Sequence, residues 1–383
     1  MEYKVKVGFV STFPPVVSGL SRYAEELCDF INASGREIEA EKLSIDRFSP
    51  YRKADSASIA ECDVAIYNLG NHPMNLPSYK AALKNPSICI LHEYTLDSFR
   101  GKVMKSLPAL SPLKMLIRSG NIFVVHTAEN VRRLVSLGAD AVQIRHMQYR
   151  LFPKVPDATF GADAFHIRKF AFSSLKSFQD ADNGYIGAFG YVSYSKGARE
   201  ILDGYEEYLR RGGRLNFLFA GNEADFPLRK EISRRKLASR VEFVENPDDL
   251  TFDSLIASCS AGVNLRLTDS GETSGNMLKL FSLCKPVAMN KTFSSEEDFA
   301  KCYFEVRRNS CSNDLAEFFA SVERKDKNLY EKAITAKRVS SERNSIELVT
   351  VEWIKLLTNP SLKARIRRAK AEGKRKFFMQ EGR

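Results

Sequence analysis

The segment GETSG, residues 271–275, stands where a strand-like string gives way to a helical pattern. The first amides of a helix and its positive dipole end bind phosphate, and the hydroxyls of Thr273 and Ser274 add further donors. Glu272 cannot bind phosphate, but its carboxylate can accept hydrogen bonds from the hydroxyls of a sugar. The segment therefore suits a sugar joined to a diphosphate. The alternative is a simple helix cap by Thr273 or Ser274, with Glu272 on the surface.

Two other loops have features of the same chemistry. In GAFGYVSYSKG, residues 187–197, a predicted strand and a glycine turn lead to Lys196 at a helix start, where an ammonium suits phosphate. This is neither a GxGxxG fingerprint nor a Walker loop, so it does not indicate a dinucleotide or P-loop ATP site. In FPPVVSGLSRY, residues 13–23, Gly19 permits a ligand to approach the backbone closely. The alternatives are a lysine without function and an ordinary strand-to-helix loop.

Three histidines follow predicted strands, His72 in LGNHPMN, His92 in LHEYTL and His126 in VVHTAE. The carboxyl ends of neighbouring parallel strands share one edge of a sheet, so we expect these side chains on the same edge. Neither HxxH nor HExxH spacing accompanies them, which argues against metal ligation. Each could instead be a core histidine with its hydrogen bonds satisfied.

Alternating strand and helix patterns must position these residues. Residues 5–12, 63–70, 87–94 and 122–129 read as buried parallel strands, and an amphipathic helix that ends at Gly35 follows the first. The pattern weakens over 152–182, which we interpret as a crossover. Beyond it, helices are predicted at 196–212, 226–239, 249–259 and 273–284, between short apolar strands.

Two such arrays in succession predict an α/β fold with two doubly wound Rossmann-like domains facing across a cleft. The amino-terminal domain is expected over residues 1–165 and the carboxyl-terminal domain over 183–335. Residues 330–358 read as a helical segment of one or two helices, and its part over 340–358 is expected to pack back on the first domain.

The composition is that of an ordinary globular protein large enough for two domains. The chain has 383 residues, of which 44% are hydrophobic. No run of 18 apolar residues could span a bilayer, and the first residues read as a strand rather than a signal peptide. The 7 cysteines lack CxxC spacing, which favours reduced thiols in a cytoplasmic protein and argues against a zinc site.

The positive charge is concentrated at the end of the chain. Residues 363–383 contain nine Lys or Arg against two Glu, a net charge of +7 out of +11 for the whole chain. With Phe377, Phe378 and Met379 near its end, this basic tail predicts docking to an anionic membrane surface, peripherally on its inner face, with the first-domain cleft brought to the membrane. Nucleic acid ranks lower, because no other basic face with interleaved aromatics is apparent. The alternative is a solvated tail.

Several segments together resemble the family of retaining, nucleotide-sugar-dependent glycosyltransferases (family four, group one), which has the two-domain glycosyltransferase B fold. PPVVSGLSRYAEEL resembles the glycine loop and first helix of that family, and YNLGNHP, LHEYTL and VVHTAENV resemble three further signatures of its first domain. GAFGYVSYSKG, FLFAGNE and VNLRLTDSGETSGNMLKLFSLCKPV resemble its donor site. The likeness covers most of residues 5–290 in the order of the family.

The resemblance implies roles for individual residues. His92 would contact the transferred sugar, Lys196 would neutralise the leaving diphosphate, and Glu272 would hold sugar hydroxyls. The donor would lie along residues from several loops, namely Gly19, Gly190, Tyr191, Gly221, Val244, Asn246, Arg266, Thr273, Ser274 and Gly275. Among them, the region Val244 to Asn246 would flank the nucleobase, and the backbone amides of Thr273 to Gly275 would bind phosphate. His72 and His126 would lie on the acceptor side. Such enzymes need no metal or other cofactor, because protein cations and helix dipoles stabilise the leaving group.

Two positions depart from the family. Many members have arginine where Tyr191 stands, and Arg266 is the candidate to replace that cation. The family's second glutamate, a ribose ligand, would fall at Lys279 or Leu280, so ribose is bound otherwise or activity is weakened.

The sequence thus predicts a metal-independent retaining glycosyltransferase that moves a hexose from a UDP- or GDP-sugar to a hydroxyl acceptor, such as a polysaccharide or a lipid-linked glycan. One alternative is a catalytically weakened or inactive protein of the same fold that acts as a binding partner. A nucleotide-sugar 2-epimerase is less favoured, because the sequence offers no cluster of carboxylates for proton abstraction.

Overall fold

The computed structural model describes residues 4–16, 18–34, 37–99, 111–149, 184–268, 271–290 and 299–381, with side chains up to Glu372 in the last helix. Gly35, the predicted crossover 152–182 and the side chains of 377–379 lie outside the described residues. By internal packing the chain divides into two units. Unit 1 comprises Met1–Arg150, Ser270–Thr273 and Asn344–Arg383, and unit 2 comprises Leu151–Asp269 and Ser274–Arg343.

Unit 1 is built on a seven-stranded parallel sheet. Its strands are β1 (Val5–Ser11), β2 (Ile38–Ser44), β3 (Arg52–Lys53), β4 (Val64–Leu69), β5 (Ile88–Leu91), β6 (Ile122–Val125) and β7 (Ile144–His146), in the order β3-β2-β1-β4-β5-β6-β7. β4, β5 and β6 are buried along their whole length, as expected for parallel strands covered on both faces. Helices α1 (Gly19–Ser34), α2 (Ser56–Ala60), α3 (Leu76–Lys84), α4 (Pro112–Arg118) and α5 (Ala128–Ser136) connect the strands.

Unit 2 has a six-stranded parallel sheet in the order β10-β9-β8-β11-β12-β13. The strands are β8 (Tyr185–Phe189), β9 (Asn216–Gly221), β10 (Val241–Glu245), β11 (Ala261–Val263), β12 (Val287–Met289) and β13 (Phe304–Glu305). The helices are α6 (Ala198–Arg210), α7 (Leu228–Arg234), α8 (Asp249–Ser258), α9 (Gly275–Ser282), α10 (Cys311–Glu323) and α11 (Lys327–Asn344). As the apolar spacing predicts, α6 buries Ile201, Leu202 and Tyr205, and it packs on α10.

The predicted helical segment 330–358 is two helices in the structure. α11 ends at Asn344, and α12 (Ile346–Thr358) begins after Ser345, whose side chain accepts a hydrogen bond from the Leu348 N–H. A serine cap of this kind stops the first helix and starts the second. α12 belongs to unit 1, where it packs on α1 and buries Trp353 completely.

The basic segment at the end of the chain is helical rather than a free tail over its described part. Residues Pro360–Glu381 form α13. Leu362 and Ile366 are buried, and the Lys370 ammonium donates to the carbonyl oxygen of Cys62 at 3.3 Å. The first half of α13 is therefore packed on unit 1.

The position of α13 contradicts one part of the tail prediction. Its partners Cys62 and Asp63 come just before β4, so α13 lies at the edge of the sheet where the strands begin. The histidines follow β5 and β6 at the opposite edge, where the strands end. A membrane that bound this part of α13 would therefore lie at the edge of the sheet opposite to the histidines of unit 1.

Candidate functional site

The chain order in unit 2 reverses between β8 and β11, since β9 and β10 lie on one side and β12 and β13 on the other. Such a switch point leaves a crevice at the carboxyl ends of two strands, where open α/β sheets bind ligands. A pocket with an empty volume of about 330 Å³ lies there. We call it the switch-point pocket, and its lining includes Gly190, Tyr191, Lys196, Asn264 and Arg266.

Two cationic side chains line the switch-point pocket. Lys196 ends a 3₁₀ turn whose cap, Ser193, accepts a hydrogen bond from the Lys196 N–H. Arg266 comes from the segment after β11, and its neighbour Leu267 donates its N–H to the carbonyl oxygen of Ser195 at 2.8 Å. The two segments that supply the cations are thus tied together, and the pocket suits an anionic group.

Gly190 and Gly221 pack backbone against backbone beside this pocket. A Cβ on Gly221 would lie 2.0 Å from the Gly190 carbonyl oxygen, and the Gly221 φ of +143° is one that other residues avoid. Gly190 has a φ of +103° and donates its N–H to the Ala220 carbonyl oxygen at 2.9 Å. The glycines are needed to join the ends of β8 and β9, and their contact with a donor stays a prediction.

The helix that follows GETSG begins against residues that line the switch-point pocket. Ser274 caps α9, and its hydroxyl also donates to Asn264 Oδ1 at 2.9 Å. Asn276 donates its side-chain amide to the Phe189 carbonyl oxygen at 3.0 Å. Within the described residues, the Gly275 and Asn276 N–H groups have no acceptor. A phosphate could meet these two amides, and the binding of phosphate by the amides of Thr273 to Gly275 stays a prediction.

The structure places the two positions that depart from the resembled family. Lys279 forms an ion pair with Asp253, whose carboxylate is buried, at 2.5 Å. Leu280 is buried, so neither residue at the expected ribose position is an exposed carboxylate. Tyr191 lines the switch-point pocket and is 49% exposed, with Arg266 in the same lining.

The residues predicted to flank a nucleobase lie at the end of β10. Val244 is half-buried and Asn246 is exposed with a φ of +49°. The Asn246 N–H donates to the Gly221 carbonyl oxygen at 3.0 Å, which fixes the turn beside the end of β9. Their contact with a base stays a prediction.

In unit 1 the chain order reverses between β1 and β4. The loop after β1 is held by linked hydroxyls, with Ser21 Oγ 2.6 Å from Thr12 Oγ1 and 2.7 Å from Ser18 Oγ. Gly19 begins α1, and a Cβ built there would meet nothing within 4 Å. The packing of the described residues thus does not require glycine at this position, and the approach of a ligand to Gly19 stays a prediction.

His92 is buried at the end of β5, and its tautomer follows from its neighbours. Asn68 donates its side-chain amide to the Leu20 carbonyl oxygen at 2.9 Å, so its Oδ1 faces His92 Nε2, 2.5 Å away. Because Oδ1 can only accept, Nε2 carries the proton and Nδ1 is left as an acceptor. Burial, and to a lesser extent His126, hold the pKa of His92 well below its usual value, so the ring is neutral.

His126 is also neutral, with its acceptor nitrogen unoccupied. Its Nδ1 lies 3.0 Å from the Met147 carbonyl oxygen and must donate to it. Nε2 is then an acceptor, buried without a hydrogen-bond partner. Burial lowers the pKa of His126 to about 4. The rings of His92 and His126 are 5.4 Å apart, and Tyr23 and Tyr149 lie within 6.0 Å of both.

The structure does not bring the third histidine into this group of rings. His72 is exposed, and its Nδ1 accepts the Met74 N–H at 3.2 Å as the cap of a 3₁₀ turn. No ring contact between His72 and the other histidines is found among the described residues. Glu272 and Thr273 group with unit 1 and are half-buried, and Thr273 Oγ1 is buried without a partner.

Four residues at these sites were not identified from the sequence, namely Tyr23, Asn68, Tyr149 and Asn276. Asn68 is the one with a usable signal, because a polar residue inside the apolar run VAIYNL implies a buried hydrogen-bond partner. Among the described residues, no group of three His, Cys, Asp or Glu is placed to hold a metal ion. No helix in that part of the chain is both long and apolar enough to cross a membrane.

No protein-family model matches the chain, and no curated protein matches its sequence. Solved structures do match. HepE from Anabaena, in complex with UDP and glucose, gives a TM-score of 0.68 at 14% identity, over 93% of this chain and 100% of that one. A sucrose-phosphate synthase from Thermosynechococcus elongatus gives 0.65 at 12% identity, over 91% of this chain and 97% of that one. WaaG, a glycosyltransferase involved in lipopolysaccharide biosynthesis, gives 0.62 at 12% identity, over 92% and 100%.

Identities this low establish the fold and not the activity. The fold is the glycosyltransferase B architecture with its two parallel α/β domains, which confirms the predicted fold class.

Proposed function

We propose that this protein is a glycosyltransferase that moves a hexose from a UDP- or GDP-sugar to a hydroxyl acceptor with retention of configuration. The observation that carries the proposal is the switch-point pocket, where Lys196, Arg266 and the start of α9 meet. HepE, to which the chain is similar in fold, was solved with UDP and glucose, and this supports a nucleoside diphosphate as the ligand proposed for the cationic pocket.

The leaving diphosphate is the group that needs stabilisation in such a transfer, because negative charge develops on it as the bond to the sugar breaks. Lys196 and Arg266 supply fixed positive charge, and the Gly275 and Asn276 amides supply donors at a positive dipole end. These groups can stabilise the negative charge of the leaving diphosphate, as a metal ion does in other enzymes. We therefore propose that the reaction requires no metal or other cofactor.

The sugar and the acceptor are assigned to the groups of unit 1. His92 Nδ1 and His126 Nε2 are acceptors on neutral rings, so each can receive a hydrogen bond from a hydroxyl. We assign His92 to the transferred sugar and His126, with the exposed His72, to the acceptor side. Glu272 is assigned to the sugar hydroxyls, and Gly19 to the closest approach of the donor phosphates.

The acceptor is proposed to be a polysaccharide or a lipid-linked glycan in the cytoplasm or at its membrane. The likeness to WaaG, a protein involved in lipopolysaccharide biosynthesis, supports the lipid-linked class. The basic α13 is proposed to contact an anionic surface through its exposed charges. This contact is not proposed to bring the histidine site of unit 1 to that surface.

A second candidate is a protein of this fold that binds a sugar nucleotide without turnover. The ion pair between Lys279 and Asp253 favours it, because the position expected to supply a ribose carboxylate holds a cation already committed to another helix.

The test is to incubate the purified chain with a panel of UDP- and GDP-hexoses, with and without oligosaccharide acceptors. Release of the nucleoside diphosphate measures turnover, and proton NMR of the product measures the anomeric configuration. Turnover with a retained anomer is the expected result. Binding of a sugar nucleotide in calorimetry without turnover would select the second candidate, and neither binding nor turnover would overturn both.

A further inference from the structure

A second pocket lies at the carboxyl edge of the sheet of unit 2, beyond the end of β11. It has an empty volume of about 520 Å³, and its lining comes from the ends of β11, β12 and β13 and the starts of α6 and α10. Glu200, Leu265, Asn290, Arg308 and Cys311 are among its lining residues. We call it the β13 pocket.

Glu200 gives the β13 pocket an unmet hydrogen-bond acceptor. Its Oε2 is buried and has no hydrogen-bond partner. The side chain stands in the first turn of α6, where the helix dipole favours a negative charge. The dipole supplies no hydrogen-bond donor to this oxygen. A buried acceptor without a partner is costly, and a hydroxyl from a ligand would satisfy it.

The charges around the β13 pocket cancel. Arg307 is committed to Asp314 through two hydrogen bonds of 3.0 and 2.7 Å. Arg308 is exposed and donates one Nη2–H to the Leu267 carbonyl oxygen at 2.9 Å, so further N–H groups of its guanidinium remain for a ligand. With both Glu200 and Arg308 in its lining, the pocket offers a carboxylate acceptor and several donors at no net charge.

We propose that the β13 pocket binds a neutral saccharide unit, as a free mono- or disaccharide or as part of a glycan. A hydroxyl can donate to Glu200, and another can accept from Arg308. The apolar floor of Leu265 and Val306, both buried, suits the C–H face of a sugar ring. Because the lining holds one carboxylate and one guanidinium, its charges favour neither an anion nor a cation, which is why the proposed ligand is neutral.

The β13 pocket shares a wall with the switch-point pocket. The Asn290 side chain holds Arg266 on both sides, by accepting its N–H at 2.6 Å and by donating to its carbonyl oxygen at 2.5 Å. Asn290 lines the β13 pocket and Arg266 lines the switch-point pocket. A saccharide in the β13 pocket is therefore placed to influence the segment that carries Arg266.

The experiment measures binding of free saccharides to the full-length chain, by saturation-transfer NMR and calorimetry. The probes are glucose, galactose, mannose, N-acetylglucosamine, maltose and sucrose. Glu200→Gln removes the charge with little change of volume, and Arg308→Ala removes exposed donors. We expect each variant to weaken saccharide binding at least ~10-fold, since hydrogen bonds to charged groups are the stronger ones.

Two control variants and one stability measurement locate the bound saccharide. Glu352→Gln, an exposed glutamate on α12, is the matched control and should bind as the wild type does. Lys196→Ala should also retain saccharide binding, because it alters the switch-point pocket. Without saccharide, Glu200→Gln should melt at the same or a higher temperature, since a buried carboxylate oxygen without a hydrogen-bond partner is removed. A purely helix-stabilising Glu200 predicts a lower melting temperature and unchanged binding.

The proposal is overturned if no saccharide binds the wild type at tens of millimolar, or if binding survives Glu200→Gln and Arg308→Ala. It is also overturned if binding is lost in Lys196→Ala, because the sugar then occupies the switch-point pocket. The readout is binding of a free saccharide, so its failure is distinct from a failure of the transfer reaction.

Discussion

The buried histidines of unit 1 should make its stability depend on pH in a defined window. Burial lowers the pKa of His126 from 6.5 to about 4 in the folded protein. Between these values the unfolded chain binds a proton that the folded chain does not, so the free energy of unfolding falls as the pH falls. Above the unfolded value both states are neutral at this residue, and the effect vanishes.

The magnitude follows from the two pKa values. Relative to neutral pH, His126 alone should cost about 2 kcal/mol of unfolding free energy at pH 5 and about 3 kcal/mol at pH 4. The pKa of His92 is shifted in the same direction by burial, so the two residues add in the same window. Replacing His126 by Gln removes one of the two contributions and keeps a side-chain donor for the Met147 carbonyl oxygen.

Urea unfolding followed by tryptophan fluorescence measures this effect directly. Trp353 is the only tryptophan in the chain, and it is buried in unit 1 with both histidines. The stability difference between the wild type and His126→Gln should shrink by about 2 kcal/mol from pH 7 to pH 5. His72→Gln, at an exposed histidine, is the matched control. If the difference in unfolding free energy between the wild type and His126→Gln does not change with pH, the burial of a neutral His126 is refuted.

Three further predictions concern packing, metal and the last helix. Gly221→Ala should lower stability by ~3 kcal/mol or more in thermal melts, because the added Cβ would collide with the Gly190 carbonyl oxygen. Gly212→Ala is the control and should cost less, because Gly212 has a φ of +87° but nothing within 4 Å of an added Cβ. EDTA should leave transfer unchanged, and activity lost with EDTA and restored only by Mg²⁺ or Mn²⁺ would contradict the proposed role of the protein cations. Deleting residues 374–383 removes a net charge of +3, so salt-sensitive binding to anionic liposomes should weaken. The melting temperature should stay near that of the wild type, because the packed residues Ile366 and Lys370 are kept. If the full-length chain ignores such liposomes at low salt, α13 is merely solvated on its exposed side.

The strands that the sequence predicts best are those buried on both faces. β4, β5 and β6 are continuous apolar runs whose predicted starts lie within about one residue of the observed ones, whereas the predictions 87–94 and 122–129 extend past the observed ends at Leu91 and Val125. β2 was missed because its sequence, IEAEKLS, alternates charged and apolar residues, with Glu39 exposed near the edge of the sheet. The sequence left open whether residues 330–358 form one helix or two, and the structure has two, with Ser345 before an apolar helical run as the start signal of the second.

The phosphate-type features of the site could be read from the sequence because they are local. A strand, a glycine turn and Lys196 follow one another along the chain, and so do a strand and the cap Ser274. The ring group of unit 1 is not local, since Tyr23, His92 and Tyr149 come from distant parts of the chain. Contacts of that kind depend on the order of strands in the sheet, which the periodicity of a single sequence does not supply.

The position of α13 in the fold could not be predicted from the charge pattern alone. Counting charges identifies the basic segment, but its place depends on which of its residues are buried, and Leu362 and Ile366 fix it to the edge where the strands begin. The surface that it offers to a partner is therefore opposite to the edge that carries the histidines.

The central claim is that the switch-point pocket holds the diphosphate of an activated sugar donor, and one measurement tests it most directly. With the donor that the panel identifies, kcat/KM is compared for the wild type, Lys196→Ala and Lys230→Ala, an exposed lysine on α7 that serves as the matched control. We expect Lys196→Ala to lose at least ~100-fold, equivalent to roughly 3 kcal/mol of transition-state stabilisation, with an unchanged melting temperature, and Lys230→Ala to stay near the wild type. The kcat/KM of Glu272→Ala should fall as well, together with that of Lys196→Ala. Near-normal kcat/KM in a folded Lys196→Ala protein would contradict the assignment of this pocket to the donor.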